Sequence, residues 1–199
     1  MPLSNDQLIE IKGWFTRRIE NLVRDSYRAF TDKIVIDHSL GGGAAPFPIV
    51  LFCMGTLDFF SAAHFGYSEK KRRKERLNQT ERMTKFLEKY LSYDEAVSNV
   101  ALDVFRHKLV HLAEPYVQTS HHKNNILGWE IASVQAEGYH WSIKDYDSKG
   151  NKIVRFGVAN FINDLKEGVL GTTSYYQDLT TNTNLQENYL SFFKELLAG

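Results

Sequence analysis

Apolar residues recur at helical spacing through most of the first half of this chain, and that period constrains the fold more than any single motif. Leu8, Ile11, Phe15, Ile19, Leu22 and Val23 form one stripe, continued by Tyr27 and Phe30. Lys12, Arg17, Glu20 and Arg24 fall opposite it. Ser4 with Gln7 three residues later has the form of a capping box, so a first helix is expected over about Asn5 to Phe30. A second is expected from about Pro48 to His64, apolar on most sides and therefore central. Thr80 reads as the cap of a third, which carries Met83, Phe86, Leu87, Tyr90 and Leu91. A fourth starts near Tyr93, carries Val97, Val100, Ala101, Val104, Phe105, Leu109 and Leu112, and ends at Pro115.

The period changes after residue 125. Trp129, Ile131 and Ser133 open a β-like run, and Tyr139, Trp141 and Ile143 alternate with His140, Ser142 and Lys144. Asp147-Ser148-Lys149-Gly150-Asn151 reads as a hairpin loop, with Ile153, Val154 and Phe156 on the return strand. Helical spacing resumes with Phe161, Ile162, Leu165 and Val169. It returns again with Leu185, Tyr189, Leu190, Phe193, Leu196 and Leu197. The expected fold is mainly α: a helical bundle with a small antiparallel hairpin or meander inserted at about 126–158, before the last helices. At 199 residues the whole chain, 1–199, is expected to form a single domain.

Composition narrows the function classes. The lone cysteine, Cys53, excludes an internal disulfide framework and a cysteine-rich zinc site, and points to a reducing compartment. Cys53 itself reads as a packed small apolar residue. The N-terminal stretch lacks a basic region followed by an apolar run, so no signal peptide is expected. The most apolar stretch, Ile49 to Leu57, stops at Asp58, short of the roughly 20 residues a bilayer requires. A cytoplasmic protein without a membrane partner is the expectation. Twenty-four Lys and Arg balance 24 Asp and Glu, which argues against a globally basic nucleic-acid coat but leaves local patches open. Gly41-Gly42-Gly43 lacks the Gly-Lys-Ser/Thr of a phosphate-binding loop and reads as a turn. No nucleophile elbow or dinucleotide fingerprint occurs, and no cofactor is expected.

The segment most suggestive of chemistry is Asp103-Val104-Phe105-Arg106-His107-Lys108-Leu109-Val110-His111 on the fourth expected helix. It resembles the signature of HEPN domains (higher eukaryotes and prokaryotes nucleotide-binding), which is an arginine, a polar residue, three to four more residues and a histidine. Arg106, His107 and His111 occupy those positions, and Phe105, Leu109 and Val110 resemble the flanking helix. The resemblance extends more weakly to helix 48–64 with its Leu57-Asp58 pair. It covers about residues 5–115 and a late helix, leaving the β insert outside. It implies an HEPN-like all-α bundle and, for many members, a metal-independent endoribonuclease acting as a toxin, in defence or in RNA processing.

That implication is chemically sensible. RNA supplies its own nucleophile, the 2′-hydroxyl, and a histidine titrating near working pH, His111, can move protons to or from the reacting oxygens. Arg106 would stabilise charge on the phosphorane, and His107 would orient the scissile phosphate. In an α-helix, five residues span about 7.5 Å and leave the two end side chains about 140° apart. A composite site where two copies of the helix meet relieves that separation, as family members commonly arrange it, and a homodimer is expected. Ala113 stands where one toxin subgroup carries a nucleotidylated tyrosine, so the resemblance does not support that regulation. A protein antitoxin, if one exists, is not identified by the sequence.

Other readings of the same residues stand beside this one. His111 falls at the edge of the apolar arc, where it could be a hydrogen-bonded boundary residue, with Arg106 solvated or ion-paired. A non-catalytic HEPN-like module binding nucleotide or RNA, or acting as a scaffold, fits as well. His107 and His111 share a face at metal-ligand spacing, but a third ligand such as Asp58, His121 or His122 would be required and no HExxH pattern is present, so no metal is expected. Six of the seven residues Lys70, Lys71, Arg72, Arg73, Lys74, Glu75 and Arg76 are basic, and they could hold RNA phosphates or simply be a solvated connector. Asp58, inside an apolar helix, requires a partner or a place in the site, and Arg106 is the first partner expected.

Overall fold

The computed structural model describes residues 2–31, 46–66, 77–103, 116–121, 124–132, 138–145 and 147–198. Among these the chain is mainly helical, with one small sheet. The helices are α1 (Asn5–Thr31), α2 (Pro46–Phe65), α3 (Gln79–Tyr90), α4 (Glu95–Val100), α5 (Val158–Leu170), α6 (Tyr175–Thr181) and α7 (Thr183–Ala198). The strands are β1 (Tyr116–His121), β2 (Asn124–Ala132), β3 (Ile143–Asp145) and β4 (Asn151–Gly157).

Local chemistry sets the helix ends. The expected capping box of α1 is present: the Ser4 N–H donates to Gln7 Oε1 at 2.9 Å and the Gln7 N–H to Ser4 Oγ at 3.3 Å. The cap of α3 is Asn78, not Thr80. Asn78 Oδ1 accepts from the Glu81 N–H at 3.0 Å, and Glu81 Oε2 accepts from the Asn78 N–H at 2.8 Å. Thr80 has Met83 three residues on and cannot close such a box. Helix α2 ends at Gly66, whose φ of 74° suits a residue without a Cβ. Within its described residues the fourth helix is α-helical from Glu95 to Val100. Ala101–Asp103 form a π-helical turn, so a wheel drawn as one unbroken α-helix fails there.

The structure divides into two compact units. The first comprises residues 1–19, 55–95 and 164–199. Its core is aromatic. Phe15, Phe60, Phe86 and Tyr175 are fully buried. Phe15 meets Phe60 edge-on at 5.1 Å and stacks on Tyr175 at 5.6 Å. Such pairs add about 0.5–1.5 kcal/mol each beyond the area they bury. Polar ties surround this core. The Tyr90 hydroxyl donates to Asp178 at 2.9 Å, Lys89 Nζ lies 2.7 Å from the same carboxylate, and the Tyr93 hydroxyl donates to Asp164 at 2.7 Å. Helix α6, held by its Ser174 cap, was not foreseen from the sequence, although it supplies Tyr175, Tyr176 and Leu179 to this core. Leu196 and Leu197, expected on an apolar face, are exposed, and Phe192 is buried instead.

The second unit comprises residues 20–54 and 96–163. It holds the sheet, in the order β1-β2-β4-β3. The expected hairpin is present: β3 and β4 pair antiparallel, with Ile143 opposite Val154. Asp147 builds its loop, accepting from the Lys149 and Asn151 N–H groups at 2.9 and 3.1 Å and from Asn151 Nδ2 at 2.7 Å, while Gly150 takes a φ of 82°. Two features depart from expectation. The sheet is mixed, since β2 runs parallel to β4, and its strands begin at Tyr116 rather than near 126. Trp141 is not a regular strand residue but sits in a turn with φ of 61°. It packs edge-on against Phe156 at 5.2 Å, within this unit. Period-2 alternation marks a strand without fixing the direction of its neighbour. Cys53 is fully buried, as a small apolar residue would be.

Among the described residues one helical stretch, Pro48–Phe65, is long and apolar enough to cross a membrane, because the helix continues past Asp58. Of that stretch 61% is buried inside the protein, the pattern of a core helix. Its burial is incomplete, since Leu51 and Phe52 are exposed.

Two predictions follow from these contacts. Asn78→Ala removes the oxygen that caps α3 and is expected to cost about 1 kcal/mol in urea unfolding. The second concerns His64, which is buried beside Phe65 (4.3 Å), Tyr90 (5.3 Å) and Tyr175 (5.4 Å). Burial, helped by Lys89 and opposed by Asp178, lowers its pKa from 6.5 to about 4. Below pH 6.5 the unfolded chain takes up a proton that the folded chain refuses, so stability falls as the pH drops toward 4. His64 alone is expected to remove about 2 kcal/mol between pH 7 and pH 5, read as a lower urea midpoint. His140 in the second unit, lowered by burial to about 3, acts in the same direction.

Candidate functional site

Of the residues singled out in the sequence, Asp58 is described. Arg106, His107 and His111 lie outside the described residues, as do Lys70, Lys71, Arg72, Arg73, Lys74 and Arg76. The side chains of His121 and His122 also lie outside them.

Asp58 is half-buried on α2. Arg82 of α3 stands beside it, with Nη2 4.0 Å from Asp58 Oδ1, while the expected partner, Arg106, lies outside the described residues. Gln79 Nε2 donates to Asp58 Oδ2. Both partners come from the first turn of α3, so the capping box that starts this helix also aims them at α2. Arg82 is itself buried, and ion pairing with a carboxylate offsets part of the cost of taking its charge out of water.

Asp58, Gln79 and Arg82 line a cavity of about 780 Å³ in the first unit. Its apolar wall is made by Phe59 and Ala62 of α2 with Phe192 and Leu196 of α7. Its remaining polar lining includes Arg18 of α1, Asn78 and Glu195. The chain enters the cavity lining at Leu77, the residue that follows the basic run ending at Arg76.

Arg18 is the residue that sequence reasoning missed. It occupies the i+3 position after Phe15, in line with Ile19 and Leu22, so a cation interrupts an otherwise apolar stripe. That interruption was the available signal. In the fold its guanidinium carbon lies 4.1 Å from the Phe59 ring centroid and 5.7 Å from that of Trp14. Its Nε is buried without a hydrogen-bond partner. Burial lowers its pKa, yet an arginine remains charged at any working pH. Stacking on rings holds the planar guanidinium while its Nε makes no hydrogen bond.

This arrangement suits binding more directly than bond breaking. Arg18 offers a guanidinium and the phenyl rings offer a flat apolar surface, beside the Asp58 carboxylate that Gln79 and Arg82 engage. Among the described residues no group of three or more His, Cys, Asp or Glu could hold a metal ion.

Gly55, exposed on α2, also lines the cavity, and a Cβ added there meets nothing within 4 Å. Gly55→Ala is expected to raise stability by about 0.5–1 kcal/mol, seen as a higher thermal midpoint, since glycine in a helix interior costs that much relative to alanine.

No protein-family model, curated protein or solved structure matches this chain.

Proposed function

We propose that this chain is an HEPN-like cytoplasmic protein that cleaves RNA without a metal, at a composite site formed where two copies meet. The observation that carries this reading is the sequence Arg106-His107-x3-His111, which follows α4 in a mainly helical chain. In the proposed reaction the 2′-oxygen attacks the adjacent phosphorus and the bond from phosphorus to the 5′-oxygen breaks. His111 handles a proton at one of these oxygens, and Arg106 answers the charge that builds on the phosphorane. His107 orients the phosphate. The products are a 2′,3′-cyclic phosphate end and a 5′-hydroxyl end. Lys70–Lys74 and Arg76 supply phosphate contacts that do not depend on base sequence. Asp58 supports the fold beside the cavity through Gln79 and Arg82.

A second reading, a non-catalytic nucleotide- or RNA-binding module, is favoured by the Arg18 cavity, which has the character of a binding site. The experiment that separates them is cleavage of a mixed RNA pool in EDTA by the wild type, Arg106→Ala and His111→Ala. The nuclease reading expects a loss of 100-fold or more in either variant. Equal cleavage by wild type and His111→Ala overturns it. A wild type that shifts its melting point with RNA or nucleotide but cuts nothing leaves the binding module.

A further inference from the structure

Arg18, Asp58, Arg82 and Glu195 carry the charges in the cavity lining of the first unit, and they are not equally engaged. Asp58 is answered by Gln79 and by Arg82, 4.0 Å away, and Glu195 has an interaction of its own. Neither carboxylate therefore requires a donor from a ligand. Arg18 differs. Its guanidinium carbon lies 4.1 Å from the Phe59 ring centroid, and its Nε is buried with no hydrogen-bond partner. Among the described residues no carboxylate lies within ion-pairing distance of it. A ring attracts a cation through its face but gives the N–H groups no lone pair to bond, so an acceptor is what Arg18 lacks.

The remaining lining sets the rest of the occupant. Phe59, Ala62, Phe192 and Leu196 form an apolar wall, which an inorganic anion would leave uncovered. A wholly apolar ligand would leave Arg18 unanswered, and a cation would meet two arginines. One free guanidinium balances one negative charge. A second negative charge on the ligand would stand unbalanced beside Asp58 and Glu195, which disfavours a dianionic phosphate. A carboxylate carries a single charge and fits the guanidinium fork through two parallel hydrogen bonds. A volume of about 780 Å³ is of the size that holds small organic ligands.

We infer that this cavity binds an organic monocarboxylate with an apolar body, its carboxylate on Arg18 and its body against Phe59, Phe192 and Leu196. The site does not involve Arg106, His107 or His111, so the inference stands or falls apart from RNA cleavage.

The test is equilibrium binding of the full chain to naphthoate and octanoate, to their uncharged counterparts naphthamide and octanol, to acetate and to adenosine monophosphate. Saturable binding of at least one of the two larger acids is expected. It should be about tenfold or more tighter than binding of its uncharged counterpart or of acetate, the worth of one hydrogen bond between charged groups. Naphthoate alone would identify a flat aromatic acid, and octanoate alone an aliphatic one. Arg18→Gln is expected to bring the acid down to the affinity of its uncharged counterpart. Should Arg18→Gln fail to fold, Leu196→Glu carries the test. Leu196 lines the cavity and is 55% exposed, so the fold tolerates the change while a like charge is set beside the bound carboxylate. A loss of about tenfold is expected there too. The inference is overturned by no saturable binding of either larger acid, or by an acid that binds no tighter than its uncharged counterpart. Unchanged acid affinity in either folded variant also overturns it. Tighter binding of adenosine monophosphate than of both acids overturns it as well, and gives the cavity to the nucleotide-binding reading.

Discussion

Burial of the Tyr175 ring is the interaction on which the first unit depends. Phe15, His64, Phe86 and Tyr90 all pack against this one fully buried side chain. Its hydroxyl is buried without a hydrogen-bond partner, at a cost of about 1–3 kcal/mol. Burying a ring of this size removes roughly 200 Å² from water, which contributes about 5 kcal/mol. The apolar gain exceeds the polar loss, so the ring stays inside. The same dry surroundings keep His64 neutral and raise the Tyr175 hydroxyl well above its usual pKa. Capping by Ser174 sets the start of α6 and so determines where Tyr175 sits.

Charge enters this unit only under control. Asp58 would be costly inside an apolar helix, and the first turn of α3 supplies two partners for it, Gln79 and Arg82. Asn78, by capping α3, fixes where Gln79 and Arg82 stand. The cavity is therefore a by-product of good local capping combined with an arginine, Arg18, that breaks the apolar stripe of α1. A stripe made wholly of aliphatic residues would close that space by packing. Arg18, held against rings, leaves a polar edge there instead.

Much of this was legible in the sequence. The extents of α1 and α2 follow from apolar spacing and, for α1, from the Ser4–Gln7 box. The β3–β4 hairpin follows from Asp147, Gly150 and the alternation around them. The cap of α3 is signalled not by Thr80 but by Asn78 with Glu81 three residues on, which together close the capping box. Helix α6 escaped because seven residues, Tyr175–Thr181, carry too few turns to display a period. The parallel pairing of β2 with β4 escaped because it joins residues about 26 apart, and no local signal encodes that choice. At the site, Asp58 was recognised as requiring a partner, but which arginine answers it is a matter of distance in space. Arg18 showed in the sequence only as a polar residue out of place.

What the sequence determined alone is set within one or two helical turns: where the longer helices run, how α1 is capped, where the hairpin turns, and the spacing of Arg106, His107 and His111. These are local because backbone hydrogen bonds and caps join residues three or four apart. What only the tertiary structure decided is which side chains share one space. It brought Arg18, Asp58, Gln79, Arg82 and Phe192 to one cavity from four separate helices, and gathered four rings around Tyr175. The physical reason is that hydrophobic burial is non-directional. It requires these faces to be covered, but only the packed shapes of the side chains determine what covers them.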